Sequence, residues 1–400
     1  MRIAYISYEF LGYRTWGGVA TSSMMVAKSF SRQDVTAFFF IGGDRNDSIL
    51  FAPNVIIVVV PSTDINDFRT KVVSAFASLH MNEKFDIIES CDGDGQGYEL
   101  ACAYPDIPFV TRCHTPMRII HHYNKNRSKN ESMVTDLKLN ILRTVRIFMA
   151  KRYSEDVEFK QLSKSNLISC PSQLMITALR TFYPITVDCL TVPYPIDSNP
   201  NPLRSDSCAT IKIGFVGSLD NRKGLPALTA ALNEISGSYD NFCFTFVGRQ
   251  CLSGPELLSF ESLIESRSEK ISYAGQMNYS DTREFLQSLD VLVVPSLFDN
   301  YPLVCIEAAL SGCVVTCSNM VGASKEVSKI DKNLVFKSGT SSSIVKTLVY
   351  ILNKHAVTNT WISQIRERFV EEFSKCHSLE LVGKKHVDVL TTTIIGCERK

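Results

Sequence analysis

The 400-residue sequence has no two cysteines in a CxxC spacing, although it holds thirteen of them, an odd number. This excludes paired metal-knuckle and dithiol redox motifs, and it points to reduced thiols acting as small core residues in a cytosolic protein. Long apolar runs are also missing. Stretches such as Val55–Val60 are strand-length, well below the ~20 residues of a membrane span. Neither charge dominates: 42 Lys and Arg face 41 Asp and Glu, for a net charge of +1, which argues against a general nucleic-acid coat. Nothing basic and apolar precedes the opening MRIAYISY, so no secretory leader is expected and the expected location is cytoplasmic. Short repeats and low-complexity tracts are absent as well.

What is present is alternation. Apolar β-branched runs at Arg2–Tyr8, Thr36–Ile41, Val55–Val60, Phe85–Ser90, Pro108–Arg112 and Leu167–Cys170 are separated by helical patterns. The pattern restarts with Ile211–Val216, Phe242–Val247, Ile271–Tyr273, Val291–Val294 and Cys313–Cys317. Continuous apolar runs read as buried parallel strands, and strand–helix alternation implies crossover connections. The length exceeds what one core usually holds. The expectation is therefore an α/β protein of two doubly wound, Rossmann-like domains facing each other across a cleft. The N-terminal domain covers 1–193, a proline-rich linker 194–208, the C-terminal domain 209–375, and a terminal segment 376–400. Trp361–Phe373 and Leu379–Leu390 are expected helices.

In open α/β sheets ligands bind beyond the carboxyl ends of strands, so three strand-to-helix loops draw attention. Gly17-Gly18 follows the first strand and opens a helix, where backbone N–H groups can approach an anion or a sugar; a simple loop hinge fits it equally well. Gly217-Ser218-Leu219-Asp220-Asn221-Arg222-Lys223-Gly224 follows the first strand of the second domain. Two cations beside a helix N-terminus, expected to start near Lys223, are uncomfortable unless a polyanion sits there; a solvated basic turn is the bland alternative. A GxGxxG fingerprint is absent and the second strand runs into Gly248-Arg249 rather than an acid, so a dinucleotide site fits poorly.

The third loop is VVPSLFDNYPLVCIEAALSGCVV, residues 293–315. Pro302 is expected at the first helical position, with Asp299 or Asn300 as the cap. Free N–H groups near Leu303 and Val304 suit a phosphate. Glu307 is the only charge in an otherwise apolar helix. A lone buried carboxylate costs several kcal/mol without partners, so it is either a satisfied structural acid or an acceptor for a vicinal diol. Two helix N-termini, two cations and two carboxylates on one sheet describe a nucleoside diphosphate site with a group attached.

At this point the sequence resembles the retaining, two-Rossmann-domain (GT-B) glycosyltransferases of family 4, also called glycosyl transferases group 1. The likeness rests on Gly17-Gly18, His114, Pro171-Ser172, GSLDNRKGL and an acid-x7-acid motif, and it extends over essentially the whole chain. The family's motif normally reads Glu-x7-Glu; here it is Asp299-x7-Glu307, which shortens the first carboxylate by one methylene. The resemblance implies that Glu307 binds ribose hydroxyls, Arg222 and Lys223 the diphosphate, and Asp299 hydroxyls of the donor sugar. His114 would face that sugar from the N-domain. Donor-binding roles extend to Gly17, Gly18, Gly217, Ser218, Arg249, Met277, Asn300, Tyr301, Pro302 and Leu303, with Gly248 and Gly275 beside the base. It further implies a terminal helix crossing back to the N-domain and closure hinging near residues 193–208.

The implied reaction moves a sugar from a nucleoside diphosphate such as a UDP- or GDP-sugar to an acceptor hydroxyl. It retains anomeric configuration, by front-face attack, and needs no metal or other cofactor. Asp92-Gly93-Asp94 is read as a loop touching substrate rather than a metal site. The expected setting is cell-surface polysaccharide, glycolipid or secondary-metabolite synthesis, with a glycan, lipid-linked or small-molecule acceptor. Alternatives are a nucleotide-sugar epimerase of the same fold, or a non-catalytic nucleotide-sugar-binding homologue. Residues 112–164 carry twelve Lys and Arg against five Asp and Glu. Val134, Leu137, Ile141, Val145 and Phe148 recur there at helical spacing. This is either a core helix with a solvated basic face or a surface for anionic lipid on the inner face of a membrane.

Overall fold

The β-branched runs become parallel strands in both halves of the chain. The structure is a computed structural model and describes residues 1–15, 17–125, 155–197, 210–358 and 360–398. In the first sheet β1 (Arg2–Ser7), β2 (Thr36–Gly43), β3 (Asp47–Ala52), β4 (Val55–Pro61), β5 (Ile87–Cys91), β6 (Phe109–Arg112), β7 (Leu167–Cys170) and β8 (Cys189–Thr191) lie in the order β3-β4-β2-β1-β5-β6-β7-β8. In the second, β9 (Ile211–Val216), β10 (Phe242–Val247), β11 (Ile271–Tyr273), β12 (Val291–Val294), β13 (Val314–Ser318) and β14 (Val335–Phe336) lie in the order β11-β10-β9-β12-β13-β14. Strand pairing is parallel throughout except between β3 and β4.

Side chains alternate through the first sheet and give it two apolar faces. Ile3 and Tyr5 of β1 pack with Val26, Phe30 and Phe39 on one side, and Ala4 and Ile6 pack with Phe38, Phe68, Val72 and Phe76 on the other. Each fully buried phenylalanine contributes about 1.5–3 kcal/mol of transfer free energy. The helix Ile65–Glu83, which supplies Phe68, Val72 and Phe76, starts at Asp64; the carboxylate of that cap accepts from the amides of Asn66 and Asp67.

The chain divides into two compact units. One contains Met1–Ile120, the described residues of 131–197, and everything described from His377 onward; the other contains the described residues of 198–376 together with 121–125. The terminal helix Leu379–Glu398 therefore belongs to the first unit. It lies on the helix Gly18–Phe30, and a Cβ at Gly383 would come within 2.9 Å of the Ser29 carbonyl oxygen. One turn further on, His386 enters the core and its Nε2 lies 2.9 and 2.8 Å from the two carboxylate oxygens of Glu89 on β5.

Three strands escape the sequence pattern. β3 is an antiparallel edge strand with mostly exposed side chains, and β8 and β14 are edge strands of three and two residues. The proline-rich linker expected at 194–208 lies partly outside the described residues; its described part, through Asp197, packs in the first unit.

Candidate nucleotide-sugar site

In the second sheet the chain runs outward from β9 through β10 to β11, then restarts on the other side of β9 with β12. Such a reversal leaves a crevice between the loops of the two central strands. Those loops are Gly217–Gly224 after β9 and Pro295–Pro302 after β12, and they carry Arg222, Lys223 and Asp299.

The two loops are joined by main chain and side chain alike. The Leu297 amide donates to the Arg222 carbonyl at 2.7 Å, and the Arg222 guanidinium reaches the Phe298 carbonyl at 3.4 Å. Lys223 Nζ donates to Asp299 Oδ2 at 2.5 Å, with both side chains partly exposed. Asp220 shapes the first loop: its carboxylate accepts from the Lys223 amide at 2.8 Å and from the Ser218 hydroxyl at 2.6 Å. Gly224 then precedes the helix Leu225–Ser236 with φ 78°, and a Cβ there would sit 2.0 Å from the Pro295 carbonyl oxygen. Only glycine allows the close approach that brings the cationic loop against the loop after β12.

The neighbouring β10 and β11 loops are stitched to this edge. The Gly217 amide donates to Val247 at 3.0 Å, the Gly248 amide to Gly275 at 2.8 Å, and the Leu219 amide to Arg249 at 2.9 Å. Arg249 is exposed and Met277 partly exposed. The expected base-side residues therefore line one sheet edge together with Gly217 and Ser218.

Two details differ from the sequence reading. Pro302 is the cap position, with extended ψ and no side-chain cap bond, and the helix runs from Leu303 to Leu310. Neither Asp299 nor Asn300 caps it, because Asp299 is turned to Lys223 and its backbone pairs with Met320 and Gly322. The helix after the cationic loop starts at Leu225 rather than Lys223, since Gly224 occupies the left-handed region that ends the turn.

Glu307 lies on the second turn of Leu303–Leu310 and stays partly open to solvent. Burial of its carboxyl pushes the pKa up to about 7, opposed by the charge of Arg283 and a hydrogen bond with the Tyr279 side chain. Arg283 is itself exposed, so the acid is not sealed against an internal cation. Sequence reasoning missed both partners. The available signal is their spacing: Tyr279 and Arg283 are one turn apart on the helix Tyr279–Ser288, hence on one face.

In the first sheet the reversal falls between β1 and β5. Gly17 and Gly18 are exposed at the start of the helix Gly18–Phe30. Beyond β5, Asp92 is buried, its Oδ1 accepting the His114 amide at 2.9 Å and its Oδ2 the Cys113 thiol at 3.3 Å. Burial lifts the Asp92 pKa to about 6. The Asp94 amide donates to Glu158 Oε1 at 3.1 Å, and Glu158 Oε2 accepts the Met117 amide at 2.9 Å. Asp92 and Glu158 thus tie the loop after β5 to the loop after β6. Among the described residues no group of three or more His, Cys, Asp or Glu is arranged to hold a metal ion.

His114 follows β6, is 8 % exposed, and places Nδ1 2.7 Å from the Tyr194 hydroxyl. Burial, and then the Arg112 charge, lower its pKa to about 3, so the ring is neutral. The basic stretch containing Val134, Leu137, Ile141, Val145 and Phe148 lies outside the described residues. No described helix is long and apolar enough to cross a membrane.

These features define a class of protein. Residues 209–368 match the family model of glycosyl transferases group 1. The fold is that of solved GT-B enzymes. It is similar to a sucrose-phosphate synthase from Thermosynechococcus elongatus, with TM-score 0.73, 15% identity and 99% of each chain covered. It is also similar to the catalytic domain of starch synthase IV from Arabidopsis thaliana, bound to ADP and acarbose, with TM-score 0.72, 12% identity, and 98% of this chain and 99% of that one covered. Among curated proteins the chain is 25% identical over 180 residues to the 2-deoxystreptamine glucosyltransferase of Streptomyces kanamyceticus. That match spans 44% of this chain and 46% of the relative, so a little under half of each. The second unit thus matches glycosyl transferases group 1, and the chain as a whole has the fold of GT-B enzymes.

Proposed function

We propose that the protein transfers a glycosyl group from a nucleoside diphosphate sugar to an acceptor hydroxyl, with retention of anomeric configuration and without a metal ion. The observation that carries this reading is the joining of Arg222 to Phe298 and of Lys223 to Asp299 across the reversal point of the second sheet. When the anomeric carbon–oxygen bond breaks, negative charge grows on the diphosphate. Arg222, Lys223 and the free amides at Leu303 and Val304 stabilise that charge most when it is greatest, which lowers the barrier rather than only tightening binding. Lys223 leaves or shares its contact with Asp299 to do so, and Asp299 then accepts from hydroxyls of the donor sugar. Glu307 accepts the two ribose hydroxyls. His114 is the residue of the first unit assigned to the sugar.

Retention is expected through front-face attack, in which the acceptor proton passes to the departing phosphate. The name of the curated relative, a 2-deoxystreptamine glucosyltransferase, supports a glucosyl donor with a small hydroxylated acceptor. The test is a panel of UDP-, GDP- and ADP-sugars assayed for nucleoside diphosphate release with and without acceptor, in EDTA. Acceptor-dependent release insensitive to EDTA, with an α-donor giving an α-product, is the expected result. Interconversion of the sugar without nucleotide release would instead mark an epimerase.

A further inference from the structure

The first unit holds a second residue whose geometry concerns the reaction. Tyr194 is 5 % exposed and sits where the chain is about to leave that unit, three residues before Asp197. Its ring is stacked on His114, with centroids 5.6 Å apart and planes at 11°, and its hydroxyl meets His114 Nδ1 at 2.7 Å. The Arg112 guanidinium lies 5.4 Å from the Tyr194 ring centroid and donates to the Pro193 carbonyl at 3.2 Å. The main chain of Tyr194 is fixed as well. Its carbonyl accepts from His377 Nδ1 at 2.8 Å, and two residues on, the Ile196 amide donates to the His377 carbonyl at 2.9 Å. His377 is the residue at which the chain re-enters the unit. The outgoing and returning segments are thus bonded side by side, and Tyr194 projects from that junction onto His114.

We infer that Tyr194 is a positioning residue for His114: its hydroxyl donates to Nδ1, which fixes the ring orientation and leaves the imidazole proton on Nε2. This rests on the reading of His114 as a group that meets the donor sugar. The direction is assigned by acidity, since a phenol O–H is a stronger acid than an imidazole N–H and an imidazole lone pair a stronger base than a phenol oxygen. A phenol in a desolvated site keeps its proton, and burial raises the Tyr194 pKa well above its ordinary value, so an O–H is available. A neutral imidazole has one lone-pair nitrogen and one N–H. Donation by the phenol assigns the lone pair to Nδ1, so Nε2 becomes a donor, the form suited to a sugar hydroxyl. No covalent step is involved. The same bonded junction means that any displacement of the His377 segment moves Tyr194, and with it the histidine ring.

The experiment uses the full-length protein labelled with ¹⁵N-histidine. Long-range ¹H–¹⁵N spectra report which ring nitrogen carries the proton, and comparison with His114→Ala assigns the signal. The wild type is expected to show a single Nε2–H tautomer for His114, unchanged between about pH 5 and 8, since burial holds its pKa near 3. Tyr194→Phe keeps both ring contacts and removes only the hydroxyl, and it should turn the signal into a mixture of tautomers. In turnover with UDP-glucose as the probe donor, Tyr194→Phe should lower kcat about tenfold in the wild-type background and have no further effect in His114→Ala. An Nδ1–H tautomer in the wild type would overturn the inference without recourse to any variant. So would an unchanged tautomer in Tyr194→Phe, or an equal loss of turnover in both backgrounds. Failure of every nucleotide sugar to turn over, with the tautomer result intact, would count against the transferase reading and leave the Tyr194–His114 relation standing.

Discussion

Lys223 Nζ and Asp299 Oδ2 lie 2.5 Å apart, so the cation expected at the diphosphate and the acid expected at the sugar hold each other. A bound diphosphate sugar would divide them by satisfying both. Removing Lys223 should therefore lower turnover by about 10²–10³, the loss typical of one preorganised charge-stabilising donor, while Lys223→Ala stays folded because the pair is partly exposed. Steady-state kinetics and a melting curve on the purified variant check this; wild-type turnover would refute the role of Lys223.

Asp299 offers the opposite experiment. Asp299→Asn removes a negative charge next to the expected diphosphate, so affinity for free UDP, GDP or ADP should stay the same or rise. Turnover of the sugar donor should fall. Asp299→Glu restores the longer acid of the family motif and should retain most activity. Calorimetric titration with the free diphosphates, set beside turnover, separates the two effects.

Glu307 gives a pH dependence with a definite sign. Burial raises its pKa to about 7 in the folded chain, from an ordinary value of 4.5. A diol is best accepted by the ionised carboxylate, so nucleoside diphosphate affinity should rise between about pH 6 and 8. Stability moves the other way. The folded state holds this proton more tightly than the unfolded state, so its stabilising contribution is complete below about pH 4.5 and is lost as pH rises through about 7. Glu307→Gln should bind weakly with no such pH trend, and it should melt no lower than wild type at pH 8. A variant that kept the wild-type binding profile would remove Glu307 from the site.

Gly224 is expected to tolerate no side chain. Alanine would need the left-handed backbone at φ 78° and would place its Cβ 2.0 Å from the Pro295 oxygen. The left-handed conformation alone costs roughly 1–2 kcal/mol, and the overlap forces the two loops apart. Gly224→Ala should lose the thermal upshift that a diphosphate gives the wild type, even where the apo protein remains folded.

Glu89 and His386 should show the asymmetry of a buried polar pair. Both are fully buried. His386 and Arg112 hold the Glu89 pKa down against its burial, burial lowers that of His386, and the His386 Nε2–H donates to both carboxylate oxygens. His386→Ala should cost about 3–5 kcal/mol by leaving a buried carboxylate short of a donor. Replacing both residues with leucine should cost much less. Urea melts of the two variants distinguish this from simple loss of volume.

Much of the fold was legible because a parallel strand buried on both faces must be continuously apolar, as β4 and β12 are. β3 was not, because its exposed, antiparallel setting makes no such demand. The candidate donor loops stand out in the sequence for electrostatic reasons: Arg222 and Lys223 next to a helix start suit an anion. Tyr279, Arg283 and Tyr194 were hidden because their importance comes from tertiary neighbours rather than from local pattern. The cap at Pro302 was misjudged because Asp299, a good capping residue by type, is claimed by Lys223 76 residues away in sequence.

The reach from Glu89 to His386 spans 297 positions, and this bears on how the protein is made. The unit whose synthesis begins first is completed after the other, since the histidine that meets Glu89 and the cover of the helix Gly18–Phe30 come from residues beyond His377. The other unit, nearly continuous in sequence, can close beforehand. Until the helix Leu379–Glu398 arrives, a nascent chain carries an acid in β5 short of its histidine partner and an uncovered face on the helix Gly18–Phe30, which are the features a chaperone would be expected to shield.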